Sequence, residues 1–330
     1  MSAPTGPESC EAYTVAWITA LALERAAAVA MLDERYNDPP PGFRKNVSDD
    51  NAYSWGRVGK HNVVISSLPA GQYGTNATAT IAQGLRSSLP HIRIGLLVGI
   101  GAGIPGTHFG KGNKPAIRRD IRLGDVVVSM PNGTIGGVVQ IDLVKAGRRN
   151  SDGEEIVERK GFLNSPPMAI CTALMKLQAN HEIEDSVIPS LLTGTFQKWP
   201  KMKAHYSHPG IDRPGRIVRE ARLSPDIHYG IIASSNTLEK SAEHRDDMLA
   251  RLKAENIEPM CLEMEAAGLM NGFPCLIIRG VCDYADEHKN DDWQKYAAVT
   301  AAAFAKELLG CTDVEEVRSA PEIGRMLDKS

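Results

Sequence analysis

The chain has no run approaching ~18 consecutive apolar residues, so no membrane-spanning helix is expected. Its six cysteines, at 10, 171, 261, 275, 282 and 311, form no Cys-x-x-Cys pair, and several lie in apolar runs where cysteine acts as a small hydrophobe. This usage argues against a zinc site and for a reducing, cytoplasmic compartment. Positive charge is not in excess: Lys and Arg number 37 against 40 Asp and Glu, a net charge of −3, which argues against a nucleic-acid binder. The N-terminal MSAPTGPESCEAY lacks the basic and apolar regions of a signal peptide. No His-Glu-x-x-His, Gly-x-Ser-x-Gly or Walker sequence occurs, which leaves metalloprotease, serine hydrolase and P-loop chemistry without support. No metal or cofactor is expected.

What is present is a regular alternation of short apolar runs and helical patterns over 330 residues. The runs Tyr13 to Thr19, Ile94 to Val98, Asp125 to Ser129, Val138 to Leu143, Ile227 to Ala233 and Leu276 to Val281 read as strands. Ser54 to Val58 and Asn62 to Ser67 flank Gly59-Lys60 and read as a hairpin. Helices are expected over Ala22 to Tyr36, from Asn76 to about Ser88, from Pro166 to about Asn180, over Ser241 to Lys253, and as an amphipathic closing element over Trp293 to Leu309. Thr107 to Arg122 reads as a basic, aperiodic insertion and Glu184 to Asp226 as a surface excursion. The pattern implies one α/β domain around a mixed, largely buried sheet, residues 13–310, with a flexible segment at 1–12 and a tail at 311–330.

The most informative stretch is CLEMEAAGLMNGFPCLIIRGVCDYADEHKN, Cys261 to Asn290. It sets Glu263 and Glu265 before an Ala-rich turn and ends a buried run at Asp283. Open α/β sheets bind ligands beyond the carboxyl ends of their strands, and carboxylates gathered there suit sugar-bond chemistry. Glu24, where the first strand gives way to the first helix, serves the helix dipole on its simplest reading. Gly101 to Gly106 matches Gly-x-Gly-x-x-Gly, but Pro105 and a basic loop follow where a dinucleotide site needs a helix. Its glycines more simply let backbone lie close to a ligand or make a tight turn.

Together the segments VAWITALALERAAAVAMLDE, GQYGTNATATIAQGLRSSLPHIRIGLLVGIGAGIPG, DIRLGDVVVSMPNGTIGGVVQIDL, HYGIIASSN and EMEAAGLMNGFPCLIIRGVCDYADEHKN resemble the nucleoside phosphorylase and nucleosidase superfamily. The likeness is to the fungal branch found as N-terminal effector domains of nucleotide-binding immune receptors. It implies a three-layer α/β/α domain with a central mixed, partly barrel-like sheet, a purine nucleoside or nucleotide as the small-molecule partner, and a homo-oligomer. It also implies residue roles: Met264 and Glu265 hold the ribose, Asp283 assists the leaving purine at N7, and Glu24 orients the attacking water. Gly101, Ala102 and Gly103 would line the ribose and nucleophile site, Tyr73 and Gly74 the 5′ end, and Asn236 and Leu238 the base. For a 5′-phosphorylated substrate, Lys111, Lys114, Arg118 and Arg119 are the candidate contacts.

The departures bear on the nucleophile. Phosphorylases of the superfamily carry arginines for phosphate in the first strand–helix loop and before the glycine turn. This chain has Glu24 in the first place and Val98-Gly99-Ile100-Gly101 in the second, with Arg25 the nearest cation. An acidic residue near the nucleophile repels phosphate, so hydrolysis of an adenine nucleoside or nucleotide is the expectation. Ile141 stands where the fungal branch has tyrosine. A phosphate-dependent phosphorylase and a nucleoside-binding effector module without turnover remain the alternatives.

Overall fold

Both faces of the central strands are apolar, and the architecture follows from covering them. The computed structural model describes residues 6–108, 117–149, 155–210, 224–289 and 291–327. In chain order the strands are β1 (Tyr13–Thr19), β2 (Glu34–Tyr36), β3 (Ser54–Val58), β4 (His61–Ser67), β5 (Ile94–Gly103), β6 (Gly106–His108), β7 (Ile117–Arg119), β8 (Val126–Ser129), β9 (Val138–Gln140), β10 (Val144–Arg149), β11 (Glu155–Arg159), β12 (Ile227–Gly230), β13 (Ile232–Ser234), β14 (Cys261–Glu263) and β15 (Cys275–Asp283). The helices are α1 (Ala22–Met31), α2 (Thr75–Ser88), α3 (Met168–His181), α4 (Ile188–Lys198), α5 (Pro200–Tyr206), α6 (Ala242–Ala254), α7 (Ala266–Leu269), α8 (Gln294–Cys311), α9 (Val314–Ser319) and α10 (Ile323–Leu327).

On β1, Val15 and Trp17 enter one apolar cluster while Ala16 and Ile18 enter another. β15 repeats this, with Leu276 and Ile278 set against Cys275 and Ile277. Residues alternate across a strand, so two apolar sets require a helical layer on each face. α1, α3, α4 and α8 supply one layer; α2, α7 and the start of α10 supply the other. The sheet between them is mixed, in the order β12-β8-β15-β5-β1-β4-β3-β2. β5 runs on past its neighbours, and Ala102 and Gly103 pair antiparallel with β14, which leads through β13 to β9. This second arm gives the sheet its partly barrel-like curl, so the expected fold class holds.

Glycine is required where α8 crosses β15: a Cβ on Gly280 would collide with the backbone of Ala297. That contact brings a helix backbone directly against the strand that ends at Asp283.

Several expectations change. The first helix stops at Met31, and Glu34–Tyr36 pairs instead as an edge strand with β3. The excursion after Glu184 contains α4 and α5, each with proline in its first turn, where the missing N–H costs nothing. β6 and β7 pair within the basic insertion. α8 is not amphipathic but buried on nearly all sides, because α1, α3 and α4 pack around it. Residues 311–327 are not a loose tail: Val317 and Ile323 are buried, and Ile323 N–H donates to Ile92 O at 3.0 Å.

Candidate active site

β1, β5 and β15 are parallel neighbours, so their carboxyl ends open on the same edge. α1 starts there. Its first-turn Glu24 folds back, and Oε2 accepts from the N–H groups of Ala20 (2.7 Å) and Leu21 (2.9 Å) while Oε1 accepts from Ile100 N–H (2.8 Å). The helix-capping reading of Glu24 holds, and the same amides, with that of Ile100, fix the carboxylate at the end of β5.

A second carboxylate group comes from the turn after β14. Glu263 accepts from the N–H groups of Glu265 (3.0 Å) and Ala266 (3.0 Å), which holds the tight turn into α7. Arg279, fully buried on β15, donates through Nη2 to Glu263 and to Glu265 Oε2 at 3.1 Å. Gly99 makes room, since a Cβ there would strike both the Arg279 guanidinium and the Glu24 carboxylate. Three carboxylates thus surround one guanidinium in a place water hardly reaches.

Their titration follows from that arithmetic of charge. Burial pushes the Glu24 carboxyl above its ordinary range, opposed by Arg279 and the three amides. Burial, against the pull of Arg279 and with repulsion from Glu263 and Glu24 added, pushes Glu265 up to about 7. Burial also works against the charge on Arg279, but Glu263, Glu265 and Glu24 outweigh it and hold the guanidinium more firmly protonated than usual. A cluster of this kind can take up a proton near neutral pH, as a base for water must.

Asp283 ends β15 on a cavity of about 460 Å³ that Glu24, Glu263 and Glu265 also line. Its Oδ1 accepts from Ala285 N–H at 2.9 Å, and Oδ2 lies 3.2 Å from Lys289 Nζ and 3.1 Å from Cys282 Sγ. Glu24, Glu265, Met264, Tyr73, Gly101, Ala102, Leu238 and Asp283 all line the cavity. Tyr73 and Leu238 are exposed at its mouth, and Ile141 also borders it.

Other expected contacts lie elsewhere. Asn236 does not line the cavity: its Oδ1 accepts from Thr75 N–H (2.9 Å) and Oγ1 (3.0 Å), capping α2. Gly74, at φ +87, turns the chain into that helix and is not itself among the lining residues, but its backbone N–H bonds the Glu265 carboxylate that is. Gly103 is absorbed by pairing with Cys261 on β14. Arg119 bonds Glu258 at 3.4 Å and is not among the lining residues. Lys111 and Lys114 lie outside the described residues, as does the side chain of Arg118. Arg25 is turned away, with Nη1 on Ser67 Oγ (2.8 Å) and Nη2 on Ser54 Oγ (3.0 Å).

Two residues escaped the sequence reading. Arg279 stands inside the quoted LIIRGVCD run, and a lone arginine in an otherwise apolar strand is itself the signal, since buried charges are paired. Lys289 carries no such signal, because its partner depends on how the loop after Asp283 folds.

No family model matches the chain. The chain nevertheless shares the fold of solved nucleosidases and has relatives in sequence. In sequence it is similar to a nucleotide-binding leucine-rich repeat (NLR)-like protein of the fungus Hyaloscypha variabilis, 40% identical over 315 residues, covering 91% of this chain but 29% of that protein. A shorter match, 33% over 91 residues, covers 26% of the chain and 18% of the ATP nucleosidase Cap17 of Escherichia coli. The chain thus spans under a third of the curated relatives it matches. Among solved structures, 5′-methylthioadenosine/S-adenosylhomocysteine nucleosidase from Neisseria meningitidis superposes with a TM-score of 0.55 at 16% identity, covering 90% of this chain and 98% of that one. Futalosine hydrolase of Helicobacter pylori gives 0.55 at 14%, covering 91% and 99%.

Proposed function

We propose that this chain hydrolyses the N-glycosidic bond of a purine nucleoside or nucleotide, adenine being the preferred base, and releases the free base and the ribose or its phosphate. The observation that carries this reading is that Glu24, Glu263 and Glu265, gathered about Arg279, line one cavity together with Asp283. Cleavage passes through an oxocarbenium-like sugar. An anionic cluster that accepts the ribose hydroxyls through Glu265 grows more favourable as positive charge develops. Glu24 orients the water and the cluster takes its proton. Asp283 assists the base, which leaves badly as a bare anion.

Water is favoured over phosphate because the cations near the nucleophile are committed. Arg279 is held by Glu263 and Glu265, and Arg25 by Ser54 and Ser67. What remains facing that end is carboxylate, which repels phosphate. The names of the relatives, an ATP nucleosidase and two nucleosidic hydrolases, point the same way.

Chromatography of products from adenosine, AMP, ATP, inosine, guanosine and methylthioadenosine, with and without phosphate, tests the reading. Free adenine with ribose or ribose phosphate is the expected result. Ribose 1-phosphate made only with added phosphate overturns hydrolysis, and no base release from any of them leaves a binding module.

A further inference from the structure

Asp283 is the group expected to assist the leaving purine, yet its contacts leave it little to give. Oδ1 accepts from Ala285 N–H at 2.9 Å, and Oδ2 faces the Lys289 ammonium at 3.2 Å and the Cys282 thiol at 3.1 Å. A carboxylate that meets three donors on its two oxygens is acting as an acceptor. The proton that reaches the purine must then come from one of those donors. The Ala285 amide does not exchange on this timescale of chemistry. The Cys282 thiol is buried and held well above its ordinary range by that burial and by Asp283 itself. The Lys289 side chain lines the cavity and is 22% exposed, so a proton it loses can be replaced from solvent.

The loop is built to hold that lysine. Ala285 takes the left-handed conformation at φ +52, which few residues with a Cβ adopt and which curls the chain back toward Asp283. Asp286 Oδ1 accepts from His288 N–H at 3.0 Å, and Lys289 N–H donates to Asp286 O at 3.1 Å. From α6, Arg245 donates to Tyr284 O at 2.7 Å, while Glu287 accepts from Ala242 N–H at 3.1 Å. Lys289 is therefore presented to Asp283 by a loop pinned at both ends, not met there by chance.

We propose that Lys289 is the source of the proton received by the departing purine, passed across Asp283. The proposal rests on the nucleosidase reading above and goes beyond it by making the base-side acid a pair. As the C1′–N9 bond breaks, its electrons return to the purine ring. Lys289 Nζ passes its proton to Asp283 Oδ2 as N7 takes it from that oxygen, so the carboxylate ends the step unprotonated, as it began, and the lysine is left neutral. The water oxygen bonds C1′, and its proton goes to the Glu24–Glu265 cluster. Lysine then regains a proton from solvent and the cluster loses one, so the cycle closes with water and nucleoside consumed. Lys289 acts through Asp283 and is a positioning residue in that sense.

The test compares a purine nucleoside with 4-nitrophenyl β-D-ribofuranoside, whose phenolate leaves without a proton, in Lys289→Met and Lys289→Arg. Purine release should fall about 10²-fold in both, the low end of general-acid effects, because guanidinium keeps the charge but surrenders no proton. Hydrolysis of the nitrophenyl riboside should fall far less. Equal loss on both substrates makes the lysine merely structural, and unchanged or faster purine release from Lys289→Met shows that Asp283 carries its own proton; either overturns the proposal. If the wild-type protein releases no base, the nucleosidase reading fails separately. Calorimetric binding of adenine, which needs no turnover, then decides: weaker binding in Lys289→Met is expected, and unchanged binding overturns the pair.

Discussion

Two groups on the cavity contrast: three glutamates gather about a guanidinium that solvent does not reach, whereas Asp283 is paired with a lysine that is 22% exposed. The first arrangement has too little positive charge for its carboxylates, so it draws in protons. The second is balanced and open, so it can pass a proton and recover it. Glycosidic hydrolysis asks for that asymmetry: one side must accept a proton from water while the other delivers one to the base. Neither group has its character from residue type alone, since both are built from carboxylates and one cation. Burial and the number of partners make the difference.

The comparison breaks most completely at Arg279. Arg279→Met should leave Glu24, Glu263 and Glu265 buried without a counter-charge, costing about 3–5 kcal/mol of stability, as measured by denaturant unfolding. Should the variant prove as stable as the wild type, the cluster does not depend on its guanidinium. Asp283→Asn should lower adenine release roughly 10²–10⁴-fold with the fold kept, by circular dichroism and steady-state kinetics. Glu265→Gln should cost about 10²–10³ in rate through the lost anion, and a change confined to KM would instead make it a simple binding contact.

A gentler probe is pH. The folded value for Glu265 is raised from 4.5 to about 7, so the native state binds more protons than the unfolded chain in that interval. The stability this group contributes is full below about 4.5 and is lost as pH rises through about 7. Melting temperature should accordingly fall between those values, and the fall should be smaller in Glu265→Gln, since the raised Glu24 carboxyl still contributes. The smallest effect belongs to Asn236→Ala. Losing the α2 cap should cost about 1 kcal/mol of stability with base release little changed. A large loss of activity without loss of stability would restore Asn236 to the base site.

Much of this was legible in the sequence because it is written in local patterns. The apolar runs that end at Gly101 and Asp283 marked strands whose ends form the site, and the Met264–Glu265 pair lay in a distinctive motif. Asn236 was not legible in the same way: an asparagine side chain serves a helix N-terminus or a purine equally well, and only the approach of Thr75 decides. Arg279 was printed in plain view, but its meaning needs the depth of β15, which no neighbour in sequence reveals. Lys289 depends on a left-handed alanine four residues earlier, a conformation that alanine does not advertise. Helix α4 was missed although it buries Ile188, Leu192 and Thr195 along one face, whereas α5, at 7 residues, is too short for periodicity to show.

Gly99 has a consequence for how such a protein could change its trade. Among the described glycines, it is the one where an added methyl group would press on the Arg279 guanidinium and the Glu24 carboxylate together. On the proposed function, a lineage or a designer wanting a sensor rather than a hydrolase would find a short path there, since one added carbon should disturb the water-side carboxylate more than ligand recognition. Gly99→Ala, assayed for adenine binding beside adenine release, measures how far the two properties come apart.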